Sequence, residues 1–226
     1  MCGRYALHSD PETLRQRFGA DPPADLFPRY NVAPTQSIPL LRQEEGHRRF
    51  RLARWGLIPH WAKERNTGYS TINARAETVA SKPAFRSAFR HRRCLIPADG
   101  FYEWQPRPGS KVKQPWFIAL RDRAPMAFAG LWERWQSPDG ESVESCSIIV
   151  TDTNALMQPI HDRMPVILAP ADWDTWLDPD TKDTAALQAL LQPYPAEAME
   201  AWPVSTRVNH PGNDSRECLE RRSLAE

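Results

Sequence analysis

The chain has 226 residues, of which 41% are hydrophobic and 25% are charged, so its composition excludes a disordered chain and predicts one or two globular domains. Proline is abundant (22 residues) and glycine is scarce (10), and the glycines lack the spacing of dinucleotide-binding and P-loop motifs, which excludes enzymes built on those loops. The formal net charge is +1 because a basic first half and an acidic second half nearly cancel.

The first predicted element is a short helix. Ser9 and Glu12 have the spacing of a capping box, and Gly19 ends the helical pattern. A proline-rich loop follows over residues 20–36. Alternating apolar side chains then predict a β-hairpin with strands at 38–42 and 48–55.

A polar loop is predicted from about 62 to 71, after which Ser81 caps a second short helix whose Phe85, Ala88 and Phe89 share one face. Strand-like runs separated by Pro, Gly and Asp come next, at 94–98, 101–104, 115–121, 126–132 and 145–151. The last predicted elements are helices at 171–177 and 183–192 and a strand at 201–206.

The spacing of these strands is typical of a barrel or a sandwich and not of a parallel βαβ array. No linker, repeat or low-complexity tract divides the chain. We therefore predict an α+β fold in one domain over residues 1–226, with a mainly antiparallel, barrel-like β core and short peripheral helices.

Neither the cysteines nor the apolar runs indicate a secreted, membrane or zinc protein. The four cysteines are scattered, without zinc-ligand spacing, at Cys2, Cys94, Cys146 and Cys218. No apolar run approaches 18 residues, and the amino terminus lacks the apolar region of a secretory signal. We expect a cytoplasmic protein with reduced thiols, no metal and no cofactor.

Charge is divided unequally along the chain. Residues 1–123 hold 22 Lys and Arg against 11 Asp and Glu, whereas residues 124–226 hold 7 against 17. Such asymmetry indicates a nucleic-acid-binding surface, and most of the basic residues are arginine, whose planar guanidinium suits phosphate. The alternative is that the two halves pack together and neutralise each other.

Cys2 is the most reactive candidate in the sequence. It follows the initiator Met, and a small second residue permits removal of that Met, which would place a thiol and a free α-amine on one residue. An α-amine has a pKa of about 8 against about 10.4 for lysine, so far more of it is unprotonated at neutral pH. An amine of this kind can attack an aldehyde, and the thiol can then close a five-membered thiazolidine. The alternative is a second-position cysteine without a role.

Three further positions carry candidate chemistry. Asn73 and Arg75 end a short apolar strand on one face, where an amide can hold an amine and a guanidinium can hold phosphate; the alternative is a surface strand end with Glu77 paired to Arg75. Glu103 lies in an apolar strand; if it faces the core, burial would raise its pKa and suit it to acid–base catalysis, and the alternative is a solvent-facing polar position in a half-buried strand. His161 precedes an arginine in a turn, where it could exchange protons near neutral pH or have no chemical role.

Eight segments in chain order form a recognisable set, and they extend over nearly the whole sequence. They are Met1-Cys-Gly-Arg-Tyr5, Arg29-Tyr-Asn-Val-Ala-Pro34, Trp55-Gly-Leu-Ile-Pro59, Ile72-Asn-Ala-Arg-Ala-Glu-Thr78, Cys94-Leu-Ile-Pro-Ala-Asp-Gly-Phe-Tyr-Glu-Trp104, Phe128-Ala-Gly-Leu-Trp132, Ile160-His-Asp-Arg-Met-Pro165 and Val204-Ser-Thr-Arg-Val-Asn209. Together these segments resemble the SOS-response-associated peptidase (SRAP), or abasic site processing, family.

The resemblance implies a compact domain that captures abasic sites in single-stranded DNA by a covalent bond. It implies that Cys2 is the nucleophile that forms a thiazolidine and that Asn73 orients the amine. It further implies that Glu103 is the acid–base group at the opened deoxyribose and that His161 assists ring opening and crosslink reversal.

The resemblance also implies how DNA is bound. Positions near phosphates are Arg4, Arg75 and Arg163, and positions in loops that shape the DNA path are Asn31, Pro34 and Trp61. It implies lyase activity through the Schiff base, and a peptidase label that reflects autoprocessing, limited here to Met removal. We expect a monomer that binds no membrane and acts at the nucleoid in DNA repair.

Three other functions compete with this one. An amino-terminal-nucleophile amidotransferase can also begin Cys-Gly, but it needs an oxyanion-hole Asn-Gly dipeptide that the sequence lacks. If the protein were a passive single-strand binder, loss of Cys2 would leave its affinity and all products unchanged. A general protease would need a Ser/His/Asp set that is not evident in the sequence.

Overall fold

The computed structural model describes residues 2–65 and 71–223. Strands within these residues are β1 (Tyr5–Leu7), β2 (Arg29–Val32), β3 (Ser37–Glu44), β4 (His47–Trp55), β5 (Asn73–Arg75), β6 (Arg93–Ala98), β7 (Gly100–Gln105), β8 (Gln114–Leu120), β9 (Met126–Gln136), β10 (Ser142–Asp152), β11 (Arg163–Pro165) and β12 (Met199–Pro203). Helices are α1 (Pro11–Phe18), α2 (Arg86–His91), α3 (Trp173–Leu177) and α4 (Thr184–Ala189).

Five of these strands close a barrel. The pairing runs β10–β4–β3–β6–β9 and returns from β9 to β10, and every contact around this ring is antiparallel except that of β10 with β4. A closed ring leaves no unpaired strand edge in the barrel. The predicted α+β fold with a mainly antiparallel, barrel-like core is therefore confirmed.

A second, open sheet packs on the barrel and contains the amino terminus. Its order is β12–β8–β7–β1–β2, and all of its pairs are antiparallel. Apolar residues between this sheet and the barrel form the main core, in which the ring of Tyr5 lies 5.4 Å from that of Trp55 and 6.0 Å from that of Phe128. The short β1 is thus held in the interior by its side chains and by strands on both of its sides.

A smaller core covers the other face of the open sheet. It contains Tyr102, Phe117 and Trp202 from the sheet and Val208 and Cys218 from the residues that follow β12. We call residues 204–223 the C-terminal segment. Because it crosses the face opposite the barrel, it reaches back to strands β1 and β2 near the start of the chain.

The helices are short and peripheral, as predicted, but the capping residues predicted for two of them are wrong. Asp10, and not Ser9, caps α1 by accepting the N–H of Thr13. The hydroxyl and the backbone N–H of Ser9 both donate instead to the buried carboxylate of Asp99. Helix α2 begins at Arg86 without a capping side chain, so the cap predicted at Ser81 is wrong.

Candidate active site

The pairing of β1 with β7 brings Cys2 beside Glu103. Tyr102 donates its backbone N–H to the carbonyl of Arg4 (3.0 Å), so the residues before Arg4 run alongside those after Tyr102. Cys2 is fully buried. Burial, and then the nearby carboxylate of Glu103, raise the pKa of the Cys2 thiol. The sulfur of Cys2 therefore keeps its proton at neutral pH.

Glu103 is the buried carboxyl of this site. Its side chain lies in the interior strand β7 and the residue is only 2% exposed. Burial raises the pKa of its carboxyl to about 7, and the negative charge of Asp162 acts in the same direction. A carboxyl with a pKa near neutrality can both donate and accept a proton at physiological pH.

His161 lies in the turn before β11 and faces Glu103. Its Nε2 is 3.7 Å from Oε2 of Glu103, and its Nδ1 accepts the backbone N–H of Arg163 (3.1 Å). Burial is the main cause that lowers the pKa of His161, which favours the neutral ring. With Nδ1 accepting, the proton of that ring is on Nε2, on the side of Glu103. When the ring is doubly protonated, Nδ1 can form an ion pair with the carboxylate of Asp162, which lies 2.9 Å away.

Asn73 offers an unused polar atom in the interior. Strand β5 pairs in parallel with β10, which sets Asn73 opposite Ile148 and leaves the residue only 7% exposed. Its Nδ2 makes one long contact, 3.5 Å, with the carbonyl of Ile148. Its Oδ1 is buried without a hydrogen-bond partner among the described residues. An unpaired buried acceptor is costly, so this oxygen is suited to a donor that arrives with a ligand, such as an amine.

Strand β10 holds the elements of Asn73 and His161 together. Both β5 and β11 pair with it, and Arg163 of β11 forms a two-bond ion pair with Glu77 just after β5 (2.6 and 3.0 Å). Glu77 is thus the hydrogen-bonded partner of Arg163, whereas the sequence alternative paired it with Arg75. Arg75 is exposed, and Arg163 is held by Glu77 and Asp152.

Arg4 and Asn31 lie under the C-terminal segment. Asn31 is fully buried; its Nδ2 lies within hydrogen-bond distance of the carbonyls of Val208, His210 and Asn213, and its Oδ1 accepts from Arg4. Arg4 also donates to the carbonyl of Val208 (2.7 Å). The amide group of Asn31 is therefore used within the protein and joins β2 to the C-terminal segment.

Trp61 is a large exposed side chain on a well-anchored loop, and 59% of it is accessible. On either side of it, Nδ1 of His60 lies 3.2 Å from the buried Glu133, and the carbonyl of Ala62 accepts from the indole of Trp135 (2.7 Å). Glu133 and Trp135 were not predicted as site residues. Nothing local in the sequence marks them, since they act on Trp61 from a strand more than 70 residues away.

Pro34 is partly exposed, in the turn that follows β2. Over residues 2–65 and 71–223, His, Cys, Asp and Glu side chains form no group of three that could hold a metal ion. Within the same ranges, every helix is too short or too polar to cross a membrane.

Known proteins resemble this chain along almost its whole length. It is 47% identical over 223 residues to the abasic site processing protein YoqW of Bacillus subtilis, covering 97% of this chain and 99% of that one. It is 33% identical over 267 residues to the abasic site processing protein HMCES of Xenopus tropicalis, covering 97% and 78%. A crystal structure of a Bacteroides thetaiotaomicron protein, 27% identical, superimposes with a TM-score of 0.87 over 98% of this chain and all of that one. The family described as SOS response associated peptidase (SRAP) matches residues 1–211, and the chain belongs to that family.

Proposed function

We propose that this protein processes abasic sites in single-stranded DNA by forming a covalent crosslink through Cys2. The observation that carries the proposal is that Cys2, near the start of the chain, lies in the interior beside Glu103, which in turn faces His161. The names of the relatives YoqW and HMCES support abasic sites as the substrate.

The α-amine of Cys2, freed when Met1 is removed, is the first nucleophile. It attacks C1′ of the ring-opened sugar aldehyde, and loss of water leaves a Schiff base between that carbon and the amine nitrogen. The thiol of Cys2 then adds to C1′, losing its proton, and closes the thiazolidine. This order fits the raised pKa of the thiol, because a protonated sulfur is a poor nucleophile until a base takes its proton.

Glu103, His161 and Asn73 have separate parts in this scheme. Glu103 gives a proton to the departing hydroxyl and takes one from the thiol, which its pKa of about 7 permits. His161 exchanges protons with Glu103 and assists both ring opening and reversal. The free Oδ1 of Asn73 accepts a hydrogen bond from the amine and orients it.

The remaining candidate residues bind the strand. Arg75 is exposed and can pair with a phosphate, and Trp61 can stack on an unpaired base. Pro34 borders the proposed path of the DNA strand. Arg4 and Arg163 contribute positive charge near the phosphates, while their existing hydrogen bonds hold them in place.

Two further properties belong to the same proposal. The Schiff base permits β-elimination at the sugar, which would give a lyase activity, and the peptidase label corresponds to removal of Met1. We further propose that the protein acts as a monomer in the cytoplasm, at the nucleoid, in repair of DNA damage.

The test is a denaturing gel of protein incubated with single-stranded DNA that carries one abasic site. The wild type should give a shifted band that survives heating, and Cys2→Ala should give none without a reductant. Cys2→Ala and Cys2→Ser both keep the α-amine without the thiol, so each should give a band only when borohydride reduces the Schiff base. DNA with a tetrahydrofuran analogue, which lacks the aldehyde, should give no band with any variant. A wild type that forms no stable band, or a Cys2→Ala variant that forms one without borohydride, would overturn the proposal.

A further inference from the structure

The hairpin that joins β7 and β8 extends from the proposed active site into solvent. Glu103 lies opposite Trp116 in this hairpin, and Gln105 lies opposite Gln114. Beyond that pair the chain turns at Gly109, whose φ of 73° suits glycine, and residues 106–113 are all exposed. We call residues 106–113 the hairpin tip.

The hairpin tip is basic, and its surroundings in the sequence contain no opposing charge. It holds Arg107, Lys111 and Lys113, and no Asp or Glu occurs between Glu103 and Asp122. Phosphates bind where lysine and arginine cluster without acidic neighbours that would repel them. The tip therefore has the charge of a phosphate-binding surface.

Contacts at the base of the hairpin fix the tip beside the reacting groups. The side chain of Gln105 donates to the carbonyl of Pro159 (2.8 Å), two residues before His161, and accepts from the indole of Trp116 (3.0 Å). These bonds hold the hairpin against the His161 turn. In keeping with this arrangement, the positive charge of Lys113 adds to burial in lowering the pKa of His161.

We propose that the hairpin tip binds phosphates of the DNA strand next to the captured abasic site, through Lys111 and Lys113. This inference rests on the proposed function, because it assumes that the strand lies across Glu103 and His161. A strand whose sugar reaches Glu103 must continue in both directions, and the basic tip rises from the same strand of the sheet.

The experiment measures equilibrium binding of single-stranded DNA carrying the unreactive tetrahydrofuran analogue, over a range of salt concentrations. Each phosphate contact on a single strand contributes about 0.7 to the slope of log affinity against log salt. The double variant Lys111→Gln, Lys113→Gln should therefore bind more weakly at low salt, with a slope smaller by about 1.4 than that of the wild type.

A matched variant separates local contacts from a change in net charge. Arg49→Gln with Lys182→Gln also removes two exposed positive charges, one on β4 and one before α4. It should keep the wild-type slope. Oligonucleotides shortened from the 5′ or the 3′ side of the analogue should then show which side reaches the tip. Shortening on that side should abolish the difference in salt slope between the wild type and the hairpin variant.

The outcomes distinguish this inference from the proposed function. A wild type that forms no crosslink with a true abasic site contradicts the proposed function itself. If the wild type crosslinks, two results would overturn only the inference about the tip. One is a hairpin variant with the same salt slope as the wild type, and the other is a hairpin variant that loses no more affinity for DNA than the matched variant does.

Discussion

Glu103 should make the stability of the protein depend on pH. Its carboxyl has a pKa of about 7 when folded against an ordinary value of 4.5, because burial disfavours the charge. A carboxyl with a raised pKa holds its proton more tightly in the folded chain, so its contribution to folding is fully present below pH 4.5 and is lost as pH rises through 7. Above pH 7 the buried charge costs about 3 kcal/mol.

Glu103→Gln, which stays neutral, should therefore exceed the wild type in free energy of unfolding by up to about 3 kcal/mol at pH 8, and match it near pH 4.5. Urea denaturation at a series of pH values measures both proteins. If the difference between them is the same at every pH, the carboxyl is not titrating in the way its burial predicts. The same substitution should slow crosslinking, so stability and activity should change in opposite directions.

The link between β2 and the C-terminal segment depends on one amide. Asn31→Ala would remove the partner of three backbone carbonyls and of Arg4, all in a buried region. We expect a loss of about 2–4 kcal/mol in free energy of unfolding, because buried polar groups would be left unpaired. Asn209→Ala is the control, since it removes one exposed bond to Trp104 and should cost about 1 kcal/mol or less. Unchanged stability with weakened DNA binding would instead favour a direct contact between Asn31 and DNA.

The long strands and the short strand that contains Asn73 and Arg75 could be predicted from the sequence, whereas β1, β2 and β11 could not. Alternating and apolar runs place β6 to β10 within a few residues of their observed ends, because strands of six or more residues show a clear pattern. Strands β1, β2 and β11 have three or four residues, too few to show a periodic pattern, and they exist because neighbouring strands pair with them. In the case of β2, the proline-rich loop predicted over 20–36 contains a strand.

The short strands are also the ones that build the candidate site. Glu103 meets the amino terminus only because β1 pairs with β7, about a hundred residues away in sequence. The motifs singled out Cys2, Asn73, Glu103 and His161, whereas the unpaired oxygen of Asn73 and the bond from Gln105 to Pro159 depend on tertiary contacts. Residue type can thus suggest chemistry, and the apolar strand around Glu103 suggested its burial and raised pKa. The contacts that set the protonation of His161 and leave the oxygen of Asn73 unpaired come from distant strands, which no local pattern reveals.

The unequal division of charge has a partly structural explanation. Ion pairs join the basic first half to the acidic second half at Arg29–Asp214, Arg42–Glu144, Arg48–Asp174, Arg65–Glu141 and Arg92–Glu133. The alternative that the halves pack together and neutralise each other is therefore supported. Arg75, Lys111 and Lys113 of the first half lie outside these pairs and are exposed, so they are the residues that we propose to bind phosphates.

Interleaving of the two halves should make the chain unfold as one unit. Strands β9 and β10 of the second half complete a barrel begun by β3, β4 and β6, and β12 pairs with β8 in the open sheet. A fragment of residues 1–123 would expose the edges of an unclosed barrel, so we expect it to aggregate or to lack a cooperative transition. For the full chain, the calorimetric and van't Hoff enthalpies of unfolding should agree. Two resolved transitions, or a fragment that folds by itself, would show that residues 1–226 contain more than one domain.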